Sequence, residues 1–533
     1  MNTTHSMSLS GQLPGHWKLS QRLSLFLSFT GLFVLLLAGL GINFPNRALW
    51  LTCSILTILI GIAWFGRSQY RDLPPGIRNN KVWFRSLTSR GVSAWGLGVL
   101  ITGFYIVLYF YPELLGQVKE GPNRGLIAFF DPLSYSLSGN PASQWFVYGT
   151  LYTLAILAFG IKFIFKYRHS RYQIIRTLSV MFFQLCFAFI LPEIMARLNG
   201  DLPYYDLKNI WPLNYYNFER YRINGFISSG NPGLFLLLFG ILSVFVISPV
   251  LTYFFGKRWY CSWVCGCGAL AETAGDPFRQ LSDKRVFAWK VERWVIHSVL
   301  VFVVVMTTAV IYSYLGPDNQ KYWLSKPQFL IGVAVLLSVV FGWVMLFKRQ
   351  ELKKDAQYGA WGYFLILLAL IGFHFFSDSQ HVFLIKSESL RKSYSFLIGS
   401  VFSGVIGTGF YPIFGSRVWC RFGCPMAAIL GLQQRLFSRF RITTNGGQCI
   451  SCGNCSAYCE MGIDVRAYAQ KGQNIVRAAC VGCGICSTVC PRGVLKLENS
   501  PPENRINEGY SSLNSNPDLL LQSIKHTQRH ERT

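Results

Sequence analysis

The sequence predicts a mainly α, polytopic membrane helix bundle of about ten spans with a small α+β unit at its C-terminus. Three observations predict it. Apolar runs of membrane-crossing length recur through residues 22–414, basic residues gather in alternate loops between them, and eight of the 15 cysteines crowd into residues 449–490. The chain is 51% hydrophobic and only 14% charged, proportions that suit a bilayer.

A crossing helix needs about 20 mostly apolar residues. Ten segments qualify: 23–42, 48–65, 92–111, 146–165, 175–194, 233–254, 294–314, 328–347, 360–376 and 396–414. The ninth is short, and the polar stretch 348–358 precedes it. The first is too long for the apolar core of a cleaved leader and lacks a small-residue cleavage site, so it reads as a retained anchor. The net charge of +26 resembles a nucleic-acid footprint until its placement is followed. Residues 67–90, 166–176, 257–293, 348–354 and 417–441 are rich in Lys and Arg, whereas 112–145 and 315–327 are poor. That alternation is an orientation signal, and no nucleic-acid partner is expected. An even number of spans puts every rich loop and both termini on the cytoplasmic side. The expected organisation is a polar cytoplasmic N-terminus (1–21), a ten-span membrane domain (22–414), a connecting segment (415–445), a cysteine-rich unit (446–497) and a disordered tail (498–533).

The cysteine-rich unit carries one pattern twice: Cys449, Cys452, Cys455 and Cys459, then Cys480, Cys483, Cys486 and Cys490, the last followed by Pro491. This is the ligand spacing of a ferredoxin with two 4Fe-4S clusters, in which the fourth cysteine of each run ligates the other cluster. One set is then Cys449, Cys452, Cys455 and Cys490; the other is Cys480, Cys483, Cys486 and Cys459. Structural zinc takes four ligands per site, usually as pairs of pairs, and disulfides do not suit a reducing cytoplasm. Soft thiolates at this double spacing favour iron–sulfur. The first run departs from the pattern because Glu460, not proline, follows Cys459, which bears on the local chain path and the cluster potential.

A second constellation closes the sixth and tenth spans. Phe255-Gly256-Lys257-Arg258-Trp259-Tyr260-Cys261-Ser262-Trp263-Val264-Cys265 and Phe414-Gly415-Ser416-Arg417-Val418-Trp419-Cys420-Arg421-Phe422-Gly423-Cys424 share Phe, Gly, Arg, aromatic, Cys, aromatic and Cys in register. Duplicated halves whose ends meet would bring Cys261, Cys265, Cys420 and Cys424 together at the membrane edge. Such a quartet is a candidate third iron–sulfur site or a thiol relay. Cys267 has no counterpart in the second copy, and Cys53 and Cys186 read as small apolar packing residues.

Paired Cys-x-x-x-Cys motifs, the second ending Cys424-Pro425, followed by a double-cubane segment, resemble the polyferredoxin membrane proteins of the NosR/NapH type. That family includes the quinol-oxidising membrane component of periplasmic nitrate reduction and the membrane protein supporting nitrous oxide reductase. The resemblance runs through residues 253–491, with Cys265-Gly266 where the family usually has Cys-Pro. It implies a multi-pass protein of the bacterial cytoplasmic membrane. It further implies electron transfer between the quinone pool or a cytoplasmic donor and a partner redox protein, as a quinol-dehydrogenase-like component. The alternative is an assembly factor that reduces a metal or thiol for another enzyme.

Quinol chemistry needs a proton acceptor, and Glu193, at the outer end of the fifth span, with Asp131 in the adjacent outer loop, are the candidates. His297 and His374, the histidines within spans, sit at different depths, which argues against a haem between them. The tetrapeptide Ser-Gly-Asn-Pro at 138–141 and 229–232 predicts two helix starts with Asn as cap. Residues 426–441 carry apolar side chains at helical period, which predicts either an interfacial amphipathic helix or a helix packed on the cysteine-rich unit.

Overall fold

The computed structural model describes residues 18–71, 90–316, 322–352, 354–377, 381–382, 385–501 and 505. The expected N-terminal region up to residue 17 and nearly all of the expected tail therefore lie outside the described residues. Among the described residues nine helices are long and apolar enough to cross a membrane. They are α1 (Leu19–Gly39), α2 (Arg47–Tyr70), α3 (Val92–Phe110), α4 (Gln144–Lys166), α5 (Arg171–Leu198), α6 (Asn231–Phe255), α9 (Val286–Tyr314), α10 (Lys326–Phe347) and α11 (Lys354–Ser377). Two short helices, α7 (Arg258–Cys261) and α8 (Gly266–Thr273), intervene between α6 and α9.

The tenth expected span differs. Residues Ser395–Gly409 form a π-helix, continuous with Ser387–Tyr394 and followed by Tyr411–Phe414. Gly399, Gly404, Gly407 and Gly409 with Ser400 and Ser403 dilute its apolar content, and Arg391 and Lys392 flank it, so it falls short of the other nine. Small residues let it pack tightly on α3: Tyr105 Oη donates to Ser400 O at 3.4 Å, and a Cβ on Gly404 or Gly409 would collide with Tyr105 or Thr102.

Prolines explain the other irregular helices. In α5, residues Phe183–Ile190 are π-helical just before Pro192, whose ring excludes the carbonyl four residues back and offers no N–H. That carbonyl, Ala188 O, accepts instead from the Tyr204 hydroxyl at 2.8 Å. The same sequence of events places a π-segment at Ser243–Ile247 before Pro249 in α6. The α1–α2 hairpin is closed by small residues: Ser54 Oγ donates to Gly31 O at 2.8 Å, and Gly61 lies against Ser24 and Ser28.

The two Ser-Gly-Asn-Pro copies start helices in other ways than expected. The cap of α4 is Ser143, whose hydroxyl accepts from Phe146 N at 3.2 Å, and the first copy forms the preceding turn. In the second copy Gly230 at φ +69° takes the cap position and Asn231 is already helical.

Residues 426–437 fall in α12 (Pro425–Phe437), whose Met426, Ala427, Ala428, Leu430, Gly431 and Gln434 are buried between α6, α9 and the cysteine-rich unit. That unit is closed by β1 (Arg441–Thr444), antiparallel to β2 (Leu495–Glu498), with Ile442 also bridged to Ile475. Inside it, two four-residue helices, Asn454–Ala457 and Ile485–Thr488, each follow a left-handed glycine, Gly453 and Gly484. The duplicated cysteine spacing has thus folded as a duplicated turn and helix. One contiguous hydrophobic core joins this unit, α12 and both Cys-x-x-x-Cys motifs.

Candidate metal centre

All fifteen cysteines are free thiols. One cavity is lined by Cys449, Cys452, Cys455 and Cys490; a second is lined by Cys459, Cys480, Cys483 and Cys486. These are the two crossed sets that the spacing predicts. Backbone N–H groups point at the sulfurs, from Ser456 at Cys455, Met461 and Ile463 at Cys459, Gly482 at Cys480, Ile485 at Cys483 and Val494 at Cys490. Burial pushes the Cys455 and Cys483 thiols up to about 12 and Cys480 up to about 11. Thiolates in such places need a cationic core to offset their desolvation, so the donor set fits iron–sulfur clusters.

The membrane-domain motifs are built alike. Gly256 and Gly415 take φ +66° and +91°, ending one helix and redirecting the chain. A Cβ there would strike Gln434 and Phe440 in the first case and Ser282 in the second. Cys265 and Cys424 then occupy the N-caps of α8 and α12, and Ala427 N donates to the Cys424 sulfur at 3.4 Å. Cys261, Cys265, Cys420 and Cys424 are buried in the shared core, and the first thiol is pushed up to about 12 by its burial. Cys267 sits beside them, its thiol hydrogen-bonded to the Cys265 thiol and to the Tyr152 hydroxyl.

The depth of this quartet departs from expectation. Tyr152 is fourteen residues from Lys166 on α4, about 21 Å at ~1.5 Å per residue. Trp419 likewise packs against Phe402 and Gly407 inside the π-helical segment. The motifs therefore turn back into the helix bundle instead of stopping at its edge, and the non-helical backbone is tolerated because protein surrounds it. Gln184 and Lys208, which lies in the loop after α5, close over Gly266. Lys208 Nζ is paired with Asp206 Oδ2 at 2.8 Å.

A buried ion network lies between the quartet and the second cavity. Arg279 Nη1 donates to Glu460 Oε2 at 2.7 Å, and Arg417 Nε to Glu460 Oε1 at 2.9 Å. Glu272 pairs with Arg417 and Arg176, while Asp276 pairs with Arg279 at 2.9 Å and Lys166 at 2.5 Å. Glu272, Glu460 and Cys483 offer ligand atoms within 4.8 Å of one another. Guanidinium groups occupy those carboxylates, so the cluster is an ion-pair network. In the sequence Glu460 stands out only as a departure from pattern; Arg279, its partner, and Glu272, which shares Arg417 with it, carry no motif, although Arg417 belongs to the repeated signature.

Other candidates are placed as follows. Asp131 Oδ1 accepts from Asn123 Nδ2 at 3.0 Å and Ala142 N at 2.9 Å, and so clamps the loop before α4. Glu193 is half-buried near the end of α5. His297 Nδ1 lies 2.5 Å from Arg293 O of its own helix, and His374 packs on Tyr312 with ring centroids 4.9 Å apart, so the two histidines do not face each other.

A family model described as a 4Fe-4S binding domain matches twice, over residues 237–285 and 397–443, and one described as a 4Fe-4S dicluster domain matches residues 448–495. The double match covers the two Cys-x-x-x-Cys copies. Among curated proteins, "Putative electron transport protein YccM" of Escherichia coli (strain K12) is 25% identical over 249 residues, 47% of this chain. The chain spans about half the length of that relative, 52%. No solved structure matches. The chain is a helical protein that carries 4Fe-4S binding domains and has, among the described residues, nine candidate membrane-spanning helices.

Proposed function

We propose that this chain is a membrane-bound electron carrier of the NosR/NapH type. Cys449, Cys452, Cys455 and Cys490 hold one 4Fe-4S cluster, Cys459, Cys480, Cys483 and Cys486 a second, and Cys261, Cys265, Cys420 and Cys424 a third. When bound, the clusters supply the one-electron chemistry. The residues of the chain fix their spacing, bury them and tune them through N–H groups aimed at sulfur. One observation supports the reading most: the two cysteine-lined cavities and the buried quartet lie in one continuous core, reached from the water-exposed unit without a break. The similarity to a protein named for electron transport agrees with it.

The π-helical segment Ser395–Gly409 makes the tenth crossing in this reading, since it runs along α3 from Gly98 to Tyr105. Both termini then share the cytoplasmic face, as the basic loops require. Electrons pass between the quinone pool or a cytoplasmic donor and a partner redox protein. The test is anaerobic reconstitution into vesicles carrying quinol, with cluster absorbance as the readout. Bleaching by quinol or by a cytoplasmic-side reductant at steady-state rates supports the carrier; reduction by neither contradicts it. In cells, deletion should stop flux at once, whereas loss of an assembly factor would leave pre-made enzyme active.

A further inference from the structure

Glu460 stands next to Cys459, where the second cysteine run has Pro491, and its side chain is wholly buried between two guanidinium groups. Arg279 belongs to the segment after α8, and Arg417 to the second repeated signature. Arg417 does more than neutralise the carboxylate. Its Nη1 donates to Cys261 O at 3.3 Å and lies 3.5 Å from Cys420 Sγ, while its Nη2 pairs with Glu272. One side chain therefore ties the residue beside Cys459 to both halves of the quartet.

Four further hydrogen bonds reach the same side of the cysteine-rich unit. Tyr172 Oη donates to Gly482 O at 2.8 Å, Gln173 Nε2 to Cys483 O at 2.9 Å, Ser262 Oγ to Val481 O at 2.9 Å and Gln434 Nε2 to Cys480 O at 2.8 Å. All four acceptors lie in the run that lines the second cavity. Neutral bonds of this kind are individually weak. The ion network is different in kind, because removing one partner strands a buried charge.

We infer that Glu460 is a positioning residue: through Arg279 and Arg417 it locks the cysteine-rich unit onto the membrane domain, holding the second cavity against the quartet as a fixed relay and not a detachable shuttle. Its purpose rests on the electron-carrier reading above, but the lock itself is a statement about docking. Proline in its place could offer neither the charge nor the hydrogen bonds.

The test uses the full-length chain in detergent, purified anaerobically, with E460Q and, as the conservative variant, E460D. Hydrogen exchange reports docking. In E460Q the amides of residues 459–463 and 480–483 should exchange about a hundredfold faster, and those of 449–455 should not change. EPR of the reduced protein reports geometry: E460Q should keep the signals of the cysteine-rich unit and lose their spin–spin broadening by the quartet, and E460D should restore part of it. Wild-type exchange or wild-type broadening in E460Q overturns the inference. Should wild type show no cluster signal from the quartet, the third site falls, and exchange alone decides whether the lock exists. Where E460Q does not accumulate, R279K, which keeps the charge but loses the fork, should give the same localised acceleration at about tenfold; unchanged protection in R279K overturns the lock.

Discussion

Gly268 is the position at which the quartet's geometry is most exposed to a single methyl group. It is the third residue of α8, the helix that Cys265 caps. A Cβ built there would stand 2.1 Å from Cys261 O and 3.0 Å from Arg417 Nη1. The first of these is backbone and cannot swing aside, so G268A must push α8 away from α7. Forcing a methyl group into a packed core costs about 1–3 kcal/mol. Moving Cys261 O also weakens its bond from the Arg417 guanidinium, a charged bond worth about 1.5–3 kcal/mol. Alanine returns about 0.9 kcal/mol of helix propensity. The net loss is about 2–5 kcal/mol, concentrated where the two cysteine pairs meet. Thermal unfolding in detergent should fall by a few degrees, and metal bound per chain should fall with it. The second copy supplies the control, because its equivalent residue is already Ala427, buried and accommodated. A G268A protein with wild-type melting and wild-type metal content would refute the packing argument.

Two further outcomes follow from buried charge. Burial alone would raise the Asp276 carboxyl, but Lys166 and Arg279 outweigh it and hold it down to about 2. Because that lies below the unfolded value near ~3.9, the stabilisation is present in full above about pH 4 and is lost as pH falls toward 2. D276N should therefore be about 2 kcal/mol less stable than wild type at pH 7, with the difference closing between about pH 4 and 2 in acid unfolding followed by tryptophan fluorescence. Glu292 Oε2 accepts from Arg421 Nε at 3.1 Å and Nη2 at 3.0 Å with both side chains buried. E292A should cost about 3–5 kcal/mol by melting, and the double variant E292M/R421M less than E292A alone; equal losses would show that no stranded charge is involved.

Much of the site was legible because iron–sulfur ligation writes itself into spacing. The crossed grouping of the cysteines around two cavities follows from Cys-x-x-Cys-x-x-Cys-x-x-x-Cys read twice, and the convergence of Cys261, Cys265, Cys420 and Cys424 from an eleven-residue repeat. What spacing could not carry was depth. Hydropathy marks where a span ends but not that the chain then turns back, so the quartet was expected at the edge and lies beside Tyr152. Apolar period likewise could not say what covers α12, since a membrane surface and a protein surface select the same face. Average hydropathy is blind to the π-helical path that glycines and Pro412 permit in the tenth apolar segment. Glu460, Arg279 and Glu272 meet across 188 positions of sequence, and no local pattern links charges brought together only by the fold.

The central claim is that three groups of four cysteine sulfurs each hold an iron–sulfur cube. Its most direct test is iron and acid-labile sulfide per chain after anaerobic purification, with low-temperature EPR of the reduced protein. The account predicts about twelve irons, falling to about eight in C261S/C424S with the signals of the cysteine-rich unit intact. About eight irons in wild type, unchanged by that double substitution, would contradict the third site, and a chain loaded with zinc or empty of metal would contradict the whole.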